Sequence, residues 1–122
     1  MAIEKKKLPT GLHRDTLAIR TALAPSQYGE NSEALFLTSG FIQPDAETAA
    51  HNFANIEDGF TYGRTSNPSV TSFELRLAAM EGTESAIAAS TGMGAILMMG
   101  MGLLKAGDHV VCSRSVFGST MN

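Results

Sequence analysis

Two short stretches of the chain carry groups able to grip an anion. In the polar loop 60–67, Tyr62-Gly63-Arg64 sets a phenol and a guanidinium two residues apart. Arg offers a forked pair of donors and Tyr one more. A unit charge at ~4 Å contributes about 4 kcal/mol at an effective dielectric near 20, more than a neutral hydrogen bond supplies. The alternative is a surface loop whose Arg is solvated. The second stretch, Ser90-Thr91-Gly92-Met93-Gly94, joins an apolar run to a helical one. A glycine turn there exposes backbone N–H groups, those of Gly92 and Met93 included, at the positive end of a helix dipole. Gly92 carries no side chain to hinder close approach. No Lys-Ser or Lys-Thr follows, and Leu97 breaks the dinucleotide pattern, so the turn suits a single phosphate rather than a whole nucleotide. The alternative is that small residues merely let a helix pack tightly on a sheet.

Phe117 follows the last apolar run, where ligands bind in open parallel sheets. An aromatic there either stacks on a planar ring, for about 0.5–1.5 kcal/mol beyond its burial, or belongs to the core. His13, His51 and His109 are scattered without metal-ligand spacing, so no metal site is expected. Cys112 is the single cysteine; it can form no internal disulfide, suits a reducing cytoplasm, and inside an apolar run is expected to be buried and inert. Met98, Met99 and Met101 read as helix packing.

The elements that must position these groups follow from periodicity and punctuation. Thr16 to Leu23 has helical composition, broken soon after by Pro25 and Gly29, and 24–33 is turn-rich. Ala34 to Thr38 is a short apolar run, either a small strand or a docking segment. A stretch with so many breaks suggests an arm that packs on another subunit. Asp45 is an N-cap type ahead of a helix over Ala46–Ala54, with Asp58-Gly59 as its stop. Asn67-Pro68 opens a helix whose Val70, Phe73, Leu77 and Met80 fall on one face, and Gly82 ends it. Ser85–Ala89 reads as a buried strand, about Ala95–Leu104 as a helix with Lys105 opposing its dipole, and His109–Cys112 as a second buried strand. That order is a βαβ unit, hence an α/β fold with a parallel sheet and a right-handed crossover.

Composition bounds the function. The 122 residues suit one small domain, which buries roughly 65% of its extended-chain surface. Hydrophobic residues make up 43%, the mark of a folded chain. A formal charge of -3 gives no support to nucleic-acid binding. Lys5, Lys6 and Lys7 are not followed by an apolar core, so no signal peptide is read. The twenty uncharged residues between Glu84 and Lys105 are long enough to span a bilayer, but four glycines and several hydroxyl residues speak against a membrane segment.

Phe-Thr-Tyr-Gly-Arg-Thr-Ser-Asn-Pro-Ser at 60–69 resembles the Tyr-x-Arg-x-x-Asn-Pro signature of the Cys/Met-metabolism enzymes that use pyridoxal phosphate, and Ser-Thr-Gly-Met-Gly-Ala-Ile at 90–96 resembles their phosphate turn. The resemblance runs from about Leu12 to the last residue. Within this cystathionine γ-synthase-like family, segments 15–20 and 37–41 are most similar to the sulfhydrylase branch acting on O-succinylhomoserine. It implies the start of a fold-type-I (aspartate-aminotransferase-like) large domain. Residues 1–59 would then be an N-terminal arm and first helix, and 60–122 the first part of the pyridoxal-phosphate-binding domain.

It also implies that Gly92 and Met93 give backbone N–H groups to the cofactor phosphate, and that Tyr62 and Arg64 reach it from a neighbouring subunit of a homo-oligomer, a dimer of dimers. Phe117 would lie over the pyridine ring; many relatives carry Tyr there, and Phe has no hydroxyl for proton transfer. The implied reaction is γ-replacement on a small amino-acid substrate, O-succinylhomoserine plus sulfide giving homocysteine and succinate. The family's Schiff-base lysine, pyridinium-pairing carboxylate and substrate-binding arginine belong to later parts of its fold, and Lys5, Lys6, Lys7 and Lys105 match none of these positions. The chain is therefore expected to be an N-terminal portion without turnover of its own. Cystathionine γ-synthase or γ-lyase chemistry is the alternative within the family, and a non-catalytic assembly fragment the alternative outside it.

Overall fold

The computed structural model describes residues 11–23, 25–54 and 59–121. Lys5, Lys6, Lys7 and the Asp58 of the expected helix stop lie outside the described residues. The chain divides by packing into two compact units, Met1–Ile87 and Ala88–Asn122.

The first unit holds α1 (Arg14–Arg20), α2 (Ala46–Phe53) and α3 (Pro68–Glu81). Helix α1 ends earlier than its composition suggests, at a Thr21 C-cap followed by Ala22 in the left-handed region at φ 58°. Helix α2 starts as expected: the Asp45 side chain accepts from the Thr48 N–H and hydroxyl at 2.7 and 3.0 Å. Helix α3 is bounded as its punctuation predicts. Asn67 caps it, Pro68 occupies the first turn where no N–H is needed, and Gly82 closes it at φ 67°.

Helices α1 and α3 pack together. Arg14 at the start of α1 pairs with Glu81 at the end of α3, and Arg76 donates to the Thr21 carbonyl at the end of α1, so the two run antiparallel. Arg76 also pairs with Glu33 at 2.6 Å, which ties that residue to the same helix. The buried residues of α3 are Pro68, Ser72 and Ala78. At 100° per residue these point away from the expected Val70-Phe73-Leu77-Met80 face, of which Val70 and Phe73 are exposed. Small side chains let neighbouring backbone approach closely, whereas the larger ones are only partly covered, Leu77 and Met80 being half-buried.

The second unit is built on α4 (Gly92–Leu103). It begins three residues before the expected Ala95, because the Thr91 hydroxyl accepts from the Gly94 N–H at 3.0 Å and recruits the glycine turn into the helix. Residues 105–108 form a turn, with Gly107 at φ 99° and the Asp108 carboxylate accepting from the Lys105 N–H at 2.8 Å.

The two expected strands are not formed as such. Residues 85–89 and 109–112 are not strand, and the β pairing among the described residues is one antiparallel bridge, Gly40 to Tyr62. Strands joined by a crossover need not be neighbours in a doubly wound sheet, and the remaining apolar run, 34–38, forms no strand either. The expected burial fails with the pairing: Val111 is 98% exposed, and Cys112 is exposed with its sulfur 3.7 Å from that of Met121. Among the described residues no helix is long and apolar enough to cross a membrane, and no cluster of ligating side chains suits a metal ion.

Candidate functional site

The Tyr62-Arg64 loop is shaped by backbone bonds on both sides. Phe41 N–H donates to the Thr61 carbonyl at 3.2 Å, and Gly63 N–H donates to the Ser39 carbonyl at 2.8 Å, around the Gly40–Tyr62 bridge. The chain then reverses tightly, with the Thr65 and Ser66 N–H groups and the Thr65 hydroxyl all donating to the Tyr62 carbonyl at 2.9, 3.0 and 2.8 Å. Arg64 stands at the tip of that reversal. Its guanidinium carbon lies 5.4 Å from the Tyr62 ring centroid, a cation–π arrangement that keeps the two side chains together. Both are exposed, and among the described residues Arg64 forms no ion pair, whereas Arg14 and Arg76 each hold a carboxylate. A cation beside a phenol with no protein anion is chemically suited to an external anion.

Gly63 shapes this loop, a role that the sequence reading passed over. A Cβ there would come 2.6 Å from the Thr38 carbonyl oxygen, so only glycine lets the loop lie against 38–39. A lone glycine between Tyr and Arg was the available signal. The Asn67-Pro68-Ser69 part of the motif anchors the other end of the loop. Asn67 Nδ2 donates to the Phe36 carbonyl, and the Ser69 hydroxyl accepts from the Phe36 N–H, both at 2.9 Å. Two side chains thus satisfy a backbone donor and acceptor as a neighbouring strand would. The 34–38 run accordingly behaves as the docking segment of the two alternatives.

In the second unit, Thr91 consumes the Gly94 N–H and leaves those of Gly92 and Met93 at the open start of α4, where no intrahelical carbonyl can reach them. A Cβ at Gly92 would meet nothing within 4 Å, so the approach to these donors is unobstructed. Phe117 immediately precedes a short 3-10 turn, Gly118–Thr120, and is 70% exposed rather than core. The Thr120 hydroxyl lies 3.8 Å from the Met93 sulfur, so the 117–120 segment is brought to the first turn of α4. Gly92, Met93 and Phe117 therefore gather in one unit, and Tyr62 and Arg64 in the other. Thr91 is the residue overlooked here, although a hydroxyl residue before a run of small residues is an N-cap signal.

The profile of the Cys/Met metabolism PLP-dependent enzymes matches residues 15–122. An O-succinylhomoserine sulfhydrylase from Pseudomonas aeruginosa is 49% identical over 108 residues, which cover 88% of this chain and 27% of that protein. An L-methionine gamma-lyase from Fusobacterium nucleatum subsp. polymorphum is 40% identical over 118 residues, covering 97% of this chain and 29% of the relative. Among solved structures, one described as an O-acetylhomoserine (thiol)-lyase from Campylobacter jejuni, containing a pyridoxyl-lysine phosphate, superposes with a TM-score of 0.81 at 28% identity. The match covers 90% of this chain and 27% of that one. The chain thus spans little more than a quarter of the length of the proteins it matches.

Proposed function

The chain belongs to the Cys/Met metabolism PLP-dependent enzymes and carries an N-terminal portion of their α/β, fold-type-I structure, and from that premise we propose that it supplies the cofactor-phosphate grip of an enzyme replacing the γ-substituent of O-succinylhomoserine with sulfide. The observation that carries the reading is the start of α4. Two unclaimed N–H groups, from Gly92 and Met93, stand beside a glycine with open space above it, which fits a phosphate dianion.

Pyridoxal phosphate, the family's cofactor, supplies an electron sink for charge that develops on an amino-acid substrate. This chain's residues would hold it. Gly92 and Met93 donate backbone hydrogen bonds to the phosphate, and Phe117, exposed on the same unit, packs on the ring by stacking. Tyr62 and Arg64 of a neighbouring subunit complete the anion site, so the assembly is a homo-oligomer with shared sites, acting in the cytoplasm. Phe117 offers no hydroxyl, so any proton moved at that edge of the ring is moved by another group. Residues up to Gly59 would serve as arm and first helix, and those from Phe60 as the beginning of the cofactor domain.

Identity of 49% to a sulfhydrylase against 40% to a methionine γ-lyase favours replacement over elimination. In the favoured reaction the Cγ–O bond breaks, a Cγ–S bond forms, and succinate leaves. The test is to supply the full-length enzyme bearing this segment with O-succinylhomoserine and sulfide, and separately with L-methionine. Homocysteine and succinate in equal amounts, with little methanethiol from methionine, are expected. Dominant methanethiol release would establish the lyase reading instead. The 122 residues by themselves are proposed to be inactive; borohydride reduction with pyridoxal phosphate should leave no adduct at a unique lysine.

A further inference from the structure

We infer that Gln43, oriented by Asn52, is a positioning residue for the Tyr62-Arg64 anion grip. The Gln43 side-chain amide donates to two backbone carbonyls, Phe41 at 3.1 Å and Phe60 at 2.9 Å. These carbonyls lie on the two strands of chain that the Gly40–Tyr62 bridge joins, one residue from Gly40 and two from Tyr62. A single amide therefore staples the base of the functional loop where backbone pairing stops. The Phe41 and Phe60 rings, 5.5 Å apart between centroids, cover the same place.

The staple has its own support. Asn52 on α2 is 8% exposed, and its Nδ2 donates to Gln43 Oε1 at 2.6 Å, which fixes the amide so that its NH₂ faces the carbonyls. A Cβ on Gly59 would collide with the Asn52 side-chain amide, so glycine at the start of the loop is what admits this partner. The chain of contacts runs from α2 through Asn52 and Gln43 to Phe60, two residues before Tyr62.

The inference rests on the reading of Tyr62 and Arg64 as phosphate ligands. The test measures pyridoxal phosphate affinity of the full-length holoenzyme for Gln43→Leu, Gln43→Glu, Arg64→Ala and the double variants. Gln43→Glu keeps the size and the acceptor for Asn52 but loses the NH₂ donors at neutral pH, and it carries the test if the Leu variant does not fold. Each Gln43 variant is expected to weaken cofactor binding about tenfold, with kcat at saturating cofactor unchanged. In the Arg64→Ala background the same change should have a clearly smaller effect, because the loop then carries Tyr62 alone. A Gln43 effect that persists undiminished beside Arg64→Ala, or no Gln43 effect while Arg64→Ala does weaken binding, overturns the staple alone. Unaltered affinity in Arg64→Ala overturns the phosphate reading and this inference with it.

Discussion

Arg64 and Gly63 do different work within one tripeptide. The guanidinium has an aromatic face beside it and no carboxylate among the described residues. Replacing it by Lys keeps the charge and loses the fork, so Arg64→Lys in the full-length enzyme should hold pyridoxal phosphate more weakly than wild type and more tightly than Arg64→Ala, by equilibrium dialysis. Gly63→Ala acts on shape. Its methyl meets the Thr38 carbonyl, and a cost of about 1–3 kcal/mol in urea unfolding is expected from the overpacking. Glu33 adds a pH dependence. The Arg76 guanidinium hydrogen-bonded to it holds its carboxyl below the usual value of about 4.3. A depressed carboxylate stabilises the fold fully above that value and loses the contribution as pH falls through its lower folded pKa. The contact of Glu33 with α3 should therefore loosen as pH falls below the ordinary glutamate value. A fall in amide protection around Glu33 at low pH, taken relative to the intrinsic exchange rate at each pH and absent in Glu33→Gln, is the expected signature.

At the level of elements, the ends of helices decide where the candidate groups stand. Asn67 serves as cap of α3 and as anchor for Phe36 through opposite ends of one amide. Loss of both in Asn67→Ala should cost about 2 kcal/mol. Asn67→Asp keeps the cap acceptor and loses the Phe36 donor, so chemical denaturation should place it between the two. Thr91 has the corresponding position at α4. Removing its hydroxyl frees the Gly94 N–H and unpins the first turn, so Thr91→Ala should shorten α4 from its N-terminus, read as increased exchange at Gly94 and Ala95. Both helix starts were legible in the sequence to different degrees. Asn-Pro announced one clearly, while the glycines after Thr91 hid the other, because glycine has poor intrinsic helix propensity.

Across the whole molecule the apolar residues are placed without being covered. Ala78 is the buried hydrophobic residue among those described, while Leu37, Phe73, Leu97, Met101 and Leu103 are all more than half exposed. Composition at 43% hydrophobic foretold a core, and the expectation was right about the material and wrong about its burial. Apolar faces left in water drive association. The 122-residue chain in isolation should therefore enhance the fluorescence of a hydrophobic dye and gain mass with concentration in sedimentation. A dye-silent monomer at high concentration would contradict that expectation.

What the sequence determined by itself is local and chemical. Asp45, Asn67-Pro68 and Gly82 announce their helix ends because capping and left-handed closure depend on a residue and its nearest few neighbours. The Tyr-Gly-Arg loop and the glycine turn were legible for the same reason, since their donors are set by residue type. Tertiary structure decided which groups meet across distance. It placed Gln43 beneath Phe60, closed Gly63 on Thr38, clamped Phe36 with Asn67 and Ser69, and formed no strand at 85–89 or 109–112. No spacing rule reaches such contacts, because a ladder or a buried amide is satisfied by whatever the fold brings beside it.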